Sequence, residues 1–185
     1  MPKKNTYGEI IFKDYPEFRP NRTPREMFKA GIMGGTYWRP IYSIITKKSY
    51  KNQHKKFPTS WWKGIPDEWM TLDYKNYDKK INKYGVKVGT TLRYWETHLW
   101  ITQYDPYGWI EWYCNFYRGR RCPDDERQIK RWLGVAGRNS RFRKNLINQI
   151  KRAKAKWNDF SISPKIRQTL LHWGYELTLR DFNNS

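Results

Sequence analysis

Two cysteines, Cys114 and Cys122, and three histidines, His54, His98 and His172, are scarce material for a metal centre or a disulfide framework in 185 residues. The cysteine spacing lacks the C-x2-C half of a zinc ribbon, and no histidine pair stands at ligand spacing, so the cysteines read as thiols and neither a metal nor a cofactor is expected. Acids are few as well: 17 Asp and Glu stand against 37 Lys and Arg, a net charge of +20 at pH 7. A compact chain so charged repels itself unless a polyanion compensates, which points to nucleic acid, DNA or RNA, as partner. No apolar run approaches the roughly 20 residues of a membrane span, and the N-terminal MPKKNTYGEIIFKDY lacks the apolar stretch of a secretory signal. The expectation is a soluble intracellular protein with no membrane partner. A phosphate-cradling G-x4-G-K-[ST] is missing too, as are D-x-D, E-x-K and H-N-H patterns, so no catalytic residue is assigned.

What the chain has in abundance is aromatic surface: 11 Trp, 14 Tyr and 8 Phe, 18% of all residues. Disordered basic tails lack the large apolar groups that offset ordering entropy, so this protein folds. A chain of this length buries roughly 70% of its extended surface, which suits one compact domain. The expected class is mainly α, with four C-terminal helices and an irregular N-terminal half that has room for one small β-sheet. Residues 1–22 read as an N-terminal arm and 23–185 as the globular domain, divided into an irregular aromatic-rich half (23–104) and a helical basic half (105–185).

Local signals mark the elements. Thr23-Pro24-Arg25-Glu26 combines a capping box with proline at the first helical position, and Gly31, Gly34 and Gly35 stop that helix early. Strand-like spacing near residue 10 and between Tyr84 and Trp100 marks the two places for a sheet. Beyond residue 104 the apolar residues recur at helical intervals. Asp105-Pro106 predicts a helix through Trp109, Trp112, Tyr113 and Phe116, and Pro123 with Asp124, Asp125 and Glu126 predicts a second ending near Gly137. A third runs from Ser140 to Trp157 with Phe142, Leu146, Ile150 and Trp157 inward; Ser163-Pro164 starts a fourth. His98 and His172, each among apolar neighbours, read as packed side chains.

Charge is concentrated between Arg118 and Lys156, where fourteen Lys and Arg meet three acids. The candidate phosphate-binding residues are Arg118, Arg120, Arg121, Arg127, Lys130, Arg131, Arg138, Arg141, Arg143, Lys144, Lys151 and Arg152. Arginine's flat five-donor fork suits phosphate oxygens, and three local acids are too few to pair most of these cations. The turn from Gly134 to Ser140 gives a weak likeness to a helix-turn-helix, but the lysine-rich second helix suits backbone contact with little sequence preference. Trp61, Trp62 and Tyr107 are candidates for stacking on unpaired bases, since adjacent tryptophans on a regular element do not both face inward. Two alternatives stand beside simple binding. One is a nucleic-acid-processing enzyme, a nuclease or base-excision type, using Asp105 or Glu111 from an available set that also holds Asp124, Asp125 and Glu126, which are already explained as helix N-terminal residues. The other is a structural protein of a virion or other assembly.

The strings GGTYWRPI (34–41), DPYGWIEWYCNFYRGRR (105–121), DDERQIKRWLGVAG (124–137) and ISPKIRQTLLHWGYEL (162–177) resemble those of an uncharacterised protein family of large DNA viruses, algae and fungi. The resemblance covers most of the chain from about Tyr15 and carries no established activity. It implies a viral or eukaryotic intracellular setting: nucleus, viral factory or virion.

Overall fold

Helix α1 (Pro24–Ala30) begins as the capping box demands: Thr23 accepts from the Glu26 amide, and the Glu26 carboxylate accepts from the Thr23 amide at 2.7 Å. Gly31, at φ 95°, ends it. A Cβ there would sit 1.8 Å from the Ile81 carbonyl oxygen, so only glycine allows the backbone approach that lets Lys83 donate to Gly31 at 3.0 Å. The computed structural model of the protein describes residues 2–185.

The N-terminal half is irregular, with one two-stranded antiparallel sheet, β1 (Ile41–Ser43) and β2 (Lys48–Tyr50), and the short helices α2 (Thr59–Trp62) and α3 (Leu92–Thr97). This sheet lies in neither expected place. Residues 84–100 hold α3 and irregular backbone, and near residue 10 there is only an isolated bridge between Lys4 and Ile10. Pro40 bars a helix before β1, and the four-residue turn closes through Lys47 at φ 55° without the glycine that would have signalled a hairpin.

The C-terminal half comprises α4 (Trp109–Tyr117), α5 (Asp125–Val135), α6 (Arg141–Arg152), α7 (Pro164–His172) and a short α8 (Leu179–Asn183). Helix α4 is central, and Ile110, Trp112, Tyr113, Cys114 and Phe116 are all buried. It starts later than Asp105-Pro106 suggests, because Gly108 takes the cap position at φ 84°. Helix α6 stops at Arg152 rather than Trp157, and Lys154 at φ 51° turns the chain away; Phe142 is 39% exposed instead of inward, and Trp157 is half-buried.

The segment before α1 is no free arm. Phe18 is fully buried, its ring 5.1 to 6.1 Å from those of Trp109, Trp112, Tyr113, Phe116 and Trp132, and Ile10 and Phe12 join the same core. Three apolar plugs at irregular spacing have no period for a sequence reading to detect. His172 is packed, whereas His98 is exposed and stacks on Tyr94 at 3.7 Å, since Leu99 and Trp100 beside it are themselves exposed. Both cysteines are free thiols. Among the described residues, no helix is long and apolar enough to cross a membrane.

Candidate nucleic-acid interface

The basic cluster divides into two groups once the acids of the whole fold are counted. Arg120 pairs with Asp105, which is 1% exposed and also accepts from Asn115 at 2.8 Å. Burial pushes the Asp105 carboxyl above the usual carboxylate range, even with Arg120 and Asn115 pulling it down. Arg121 pairs with Asp14 while lying 3.8 Å over the Phe116 ring, Arg127 pairs with Asp124, and Arg143 pairs with Asp181 at 2.7 Å. Arg118 donates to the Lys56 carbonyl at 2.9 Å. These guanidiniums knit elements together, and Asp14, Asp105 and Asp181 come from outside the 118–156 window, which is why local charge counting missed them.

Arg120→Gln tests that division. It leaves a buried carboxylate without its cation, so the protein should lose about 2 kcal/mol of stability, discounted from the 3–5 kcal/mol of a fully buried pair because the Arg120 side chain is 30% exposed. Chemical denaturation should show the loss growing as pH rises and Asp105 ionises; unchanged stability would deny the pair a structural role.

The second group is exposed and has no carboxylate within ion-pair distance among the described residues: Lys130, Arg138, Arg141, Lys144, Lys151 and Arg152. All but Lys130 belong to α6 or the turn before it. Ser140 caps this helix by accepting from the Arg143 amide, and Leu146, Ile147 and Ile150 hold its inner face in the core. The 3.6-residue period then sends Arg141, Lys144, Asn145, Asn148, Lys151 and Arg152 to one solvent face about 18 Å long. Lys151 alone is tied down, donating to the Ser185 main-chain oxygen at 2.7 Å. Beside this face lies a polar cleft of about 1050 Å³, walled by Lys144, Asn148 and Lys151 on one side and by Glu9, Arg19 and Arg180 on the other.

The candidate stacking residues are not available to a base. Trp61, Trp62 and Tyr107 are 5%, 9% and 2% exposed. Helix α2 is a single turn laid flat on the core, so both tryptophans reach inward: Trp61 stacks on Phe57 at 5.6 Å and 5°, and Trp62 donates to the His54 carbonyl at 2.8 Å. Tyr107 is spent on the Arg39 carbonyl at 2.7 Å. Four of the five candidate carboxylates are structural as well, Asp105 through Arg120, while Glu126 is exposed. Asp125 accepts from the Trp112 indole at 2.8 Å, Asp124 from Arg127 and Gln128, and Glu111 from the Tyr107 amide at 2.9 Å. Burial pushes the Glu111 carboxyl up to about 7. Among the described residues, no group of three or more His, Cys, Asp and Glu is placed to hold a metal ion.

Compared with protein-family models, curated proteins and solved structures, the chain matches none.

Proposed function

We propose that this protein binds nucleic acid through the phosphate backbone, with α6 and the turn before it as the contact surface. One observation carries the reading: Arg138, Arg141, Lys144 and Arg152 stay exposed and free of carboxylates in a fold that pairs Arg120, Arg121, Arg127 and Arg143 with acids. Cations left unpaired along one helix face repel one another, and a phosphate backbone relieves that cost by releasing its own counterions. The amides of Asn145 and Asn148 between them add uncharged donors to the same face. A cationic helix with no acid on its solvent face tracks a backbone rather than reading base edges, so affinity should vary little with sequence. The intracellular or viral setting implied by the motif resemblance supplies such a polyanion.

Titration of a duplex oligonucleotide at low and at moderate salt tests this. Each phosphate neutralised contributes about 0.9 to the slope of log K against log salt, so four or five contacts give a slope near −4. No binding at low salt, or binding indifferent to salt, removes the reading and leaves the aromatic surface to an assembly role.

A further inference from the structure

On the other side of the α5–α6 elbow opens a second cleft, of about 530 Å³, within the range of small-molecule sites. Its wall is aromatic, and the rings are ordered. Trp109 stacks on Trp173 at 4.5 Å and 25°, and the Arg131 guanidinium lies 5.2 Å from the Trp173 ring and 5.4 Å from that of Trp100. Planar groups thus follow one another from the core to the surface, where Trp100 is 39% exposed.

Two of the polar groups of this cleft, Arg131 and His172, are donors. Arg131 has no carboxylate within ion-pair distance and is held by the Gln128 side chain at 2.9 Å and the Trp100 carbonyl at 3.2 Å; burial lowers its pKa to about 10, so it stays charged at neutral pH. His172, also in the wall, accepts at Nε2 from the Met33 amide at 3.1 Å, which leaves the ring proton on Nδ1 as a donor. Among the described residues, no Asp or Glu lines the cleft. Flat apolar faces, cationic and neutral donors and an absence of carboxylates complement a group with π-faces, polar acceptor edges and negative charge attached. An aliphatic side chain would bring neither a π-face for the tryptophans nor an acceptor for Arg131.

Phe142 ties this cleft to the phosphate surface. It lines the cleft from the first turn of α6, is 39% exposed, and is the chain neighbour of Arg141. We propose that the cleft receives an unpaired nucleobase from a single-stranded segment whose phosphates lie on α6. This rests on the reading of α6 as a phosphate-binding helix, and it assigns base stacking to Trp100 and Phe142 in place of the buried Trp61 and Trp62, with the buried Tyr107 in the cleft wall.

The test compares a short oligothymidylate with an abasic strand of the same length, which has the phosphates without the bases, for the parent, Trp100→Ala and Phe142→Ala. Both side chains are more than a third exposed, so the fold survives either change, and circular dichroism checks it. One stacked base should favour the base-bearing strand roughly 5- to 150-fold in the parent. That preference should shrink in both variants while the salt slope stays the same. Equal affinity of the parent for the two strands, or an undiminished preference in both variants, overturns the base site and leaves the phosphate surface standing. Failure to bind either strand at low salt overturns the phosphate reading itself. Self-association of the parent in sedimentation that Trp100→Ala abolishes, with no preference for bases, gives the cleft to a second copy and overturns the proposal.

Discussion

Replacing Arg138, Arg141, Lys144 and Arg152 together by glutamine should cut the salt slope of duplex binding by about 3 to 4 and lower affinity at low salt by about tenfold or more. Each of these side chains is exposed and free of carboxylates, so the four substitutions remove phosphate contacts and no internal ion pair. Glutamine stays polar and keeps most of the helix propensity of Arg and Lys. The Ser140 cap and the buried Leu146, Ile147 and Ile150 are untouched, so helicity and thermal midpoint should stay near the parent's. The pairing pattern makes the choice of residues matter. A variant that included Arg120 would expose Asp105 as an unpaired buried carboxylate, and lost binding could then be lost folding. If the quadruple variant folds normally and keeps the parent's affinity and slope, the polyanion lies elsewhere, and the exposed Lys47, Lys48, Lys51, Lys55 and Lys56 stand next.

How much of this was legible in the sequence follows from how local each cause is. The α1 start needs only Thr23, Pro24 and Glu26, three neighbours whose hydrogen bonds close within one turn. The free face of α6 follows from its period, since every residue on it has another three or four positions away. The partners of the arginines are a different matter. Asp105 is 15 residues from Arg120 and Asp14 is 107 from Arg121, well beyond the three- and four-residue spacings at which side chains on one helix pair. The aromatic cleft is less local still: Trp100, Arg131, Phe142 and Trp173 come from four separate segments and meet only when α5, α6 and α7 pack. Trp61 and Trp62 misled for a related reason, because a one-turn helix does not impose the two-sided geometry assumed for adjacent residues.

Glu111→Gln should stabilise the protein, and only at higher pH. The parent side chain is 4% exposed on the central helix, and burial raises its carboxyl from 4.5 to about 7. A carboxyl whose folded pKa is raised contributes fully below the unfolded value, and that contribution is lost as pH rises toward the folded value. Glu111 thus costs nothing near pH 4, where it is protonated in both states, and the cost grows between 4.5 and about 7 as the unfolded chain ionises freely while the folded one resists. At about 1.4 kcal/mol per pH unit, the full cost above pH 7 is roughly 3 kcal/mol. The glutamine amide oxygen can still accept from the Tyr107 amide, so the variant removes the charge without orphaning a buried donor. Unfolding curves of parent and variant should coincide near pH 4 to 5 and separate by pH 8, with the variant's midpoint higher by roughly 6–12 °C. Because every other titrating group is common to both proteins, the difference isolates this one residue. A variant less stable than the parent at pH 8 would mean that the folded protein favours the ionised carboxylate, with Lys56 and Arg120 supplying its counter-charge. A carboxylate so stabilised is a structural counter-ion and a weak base, so that outcome would take Glu111 out of the enzymatic reading, which needs a carboxyl poised near neutral pH.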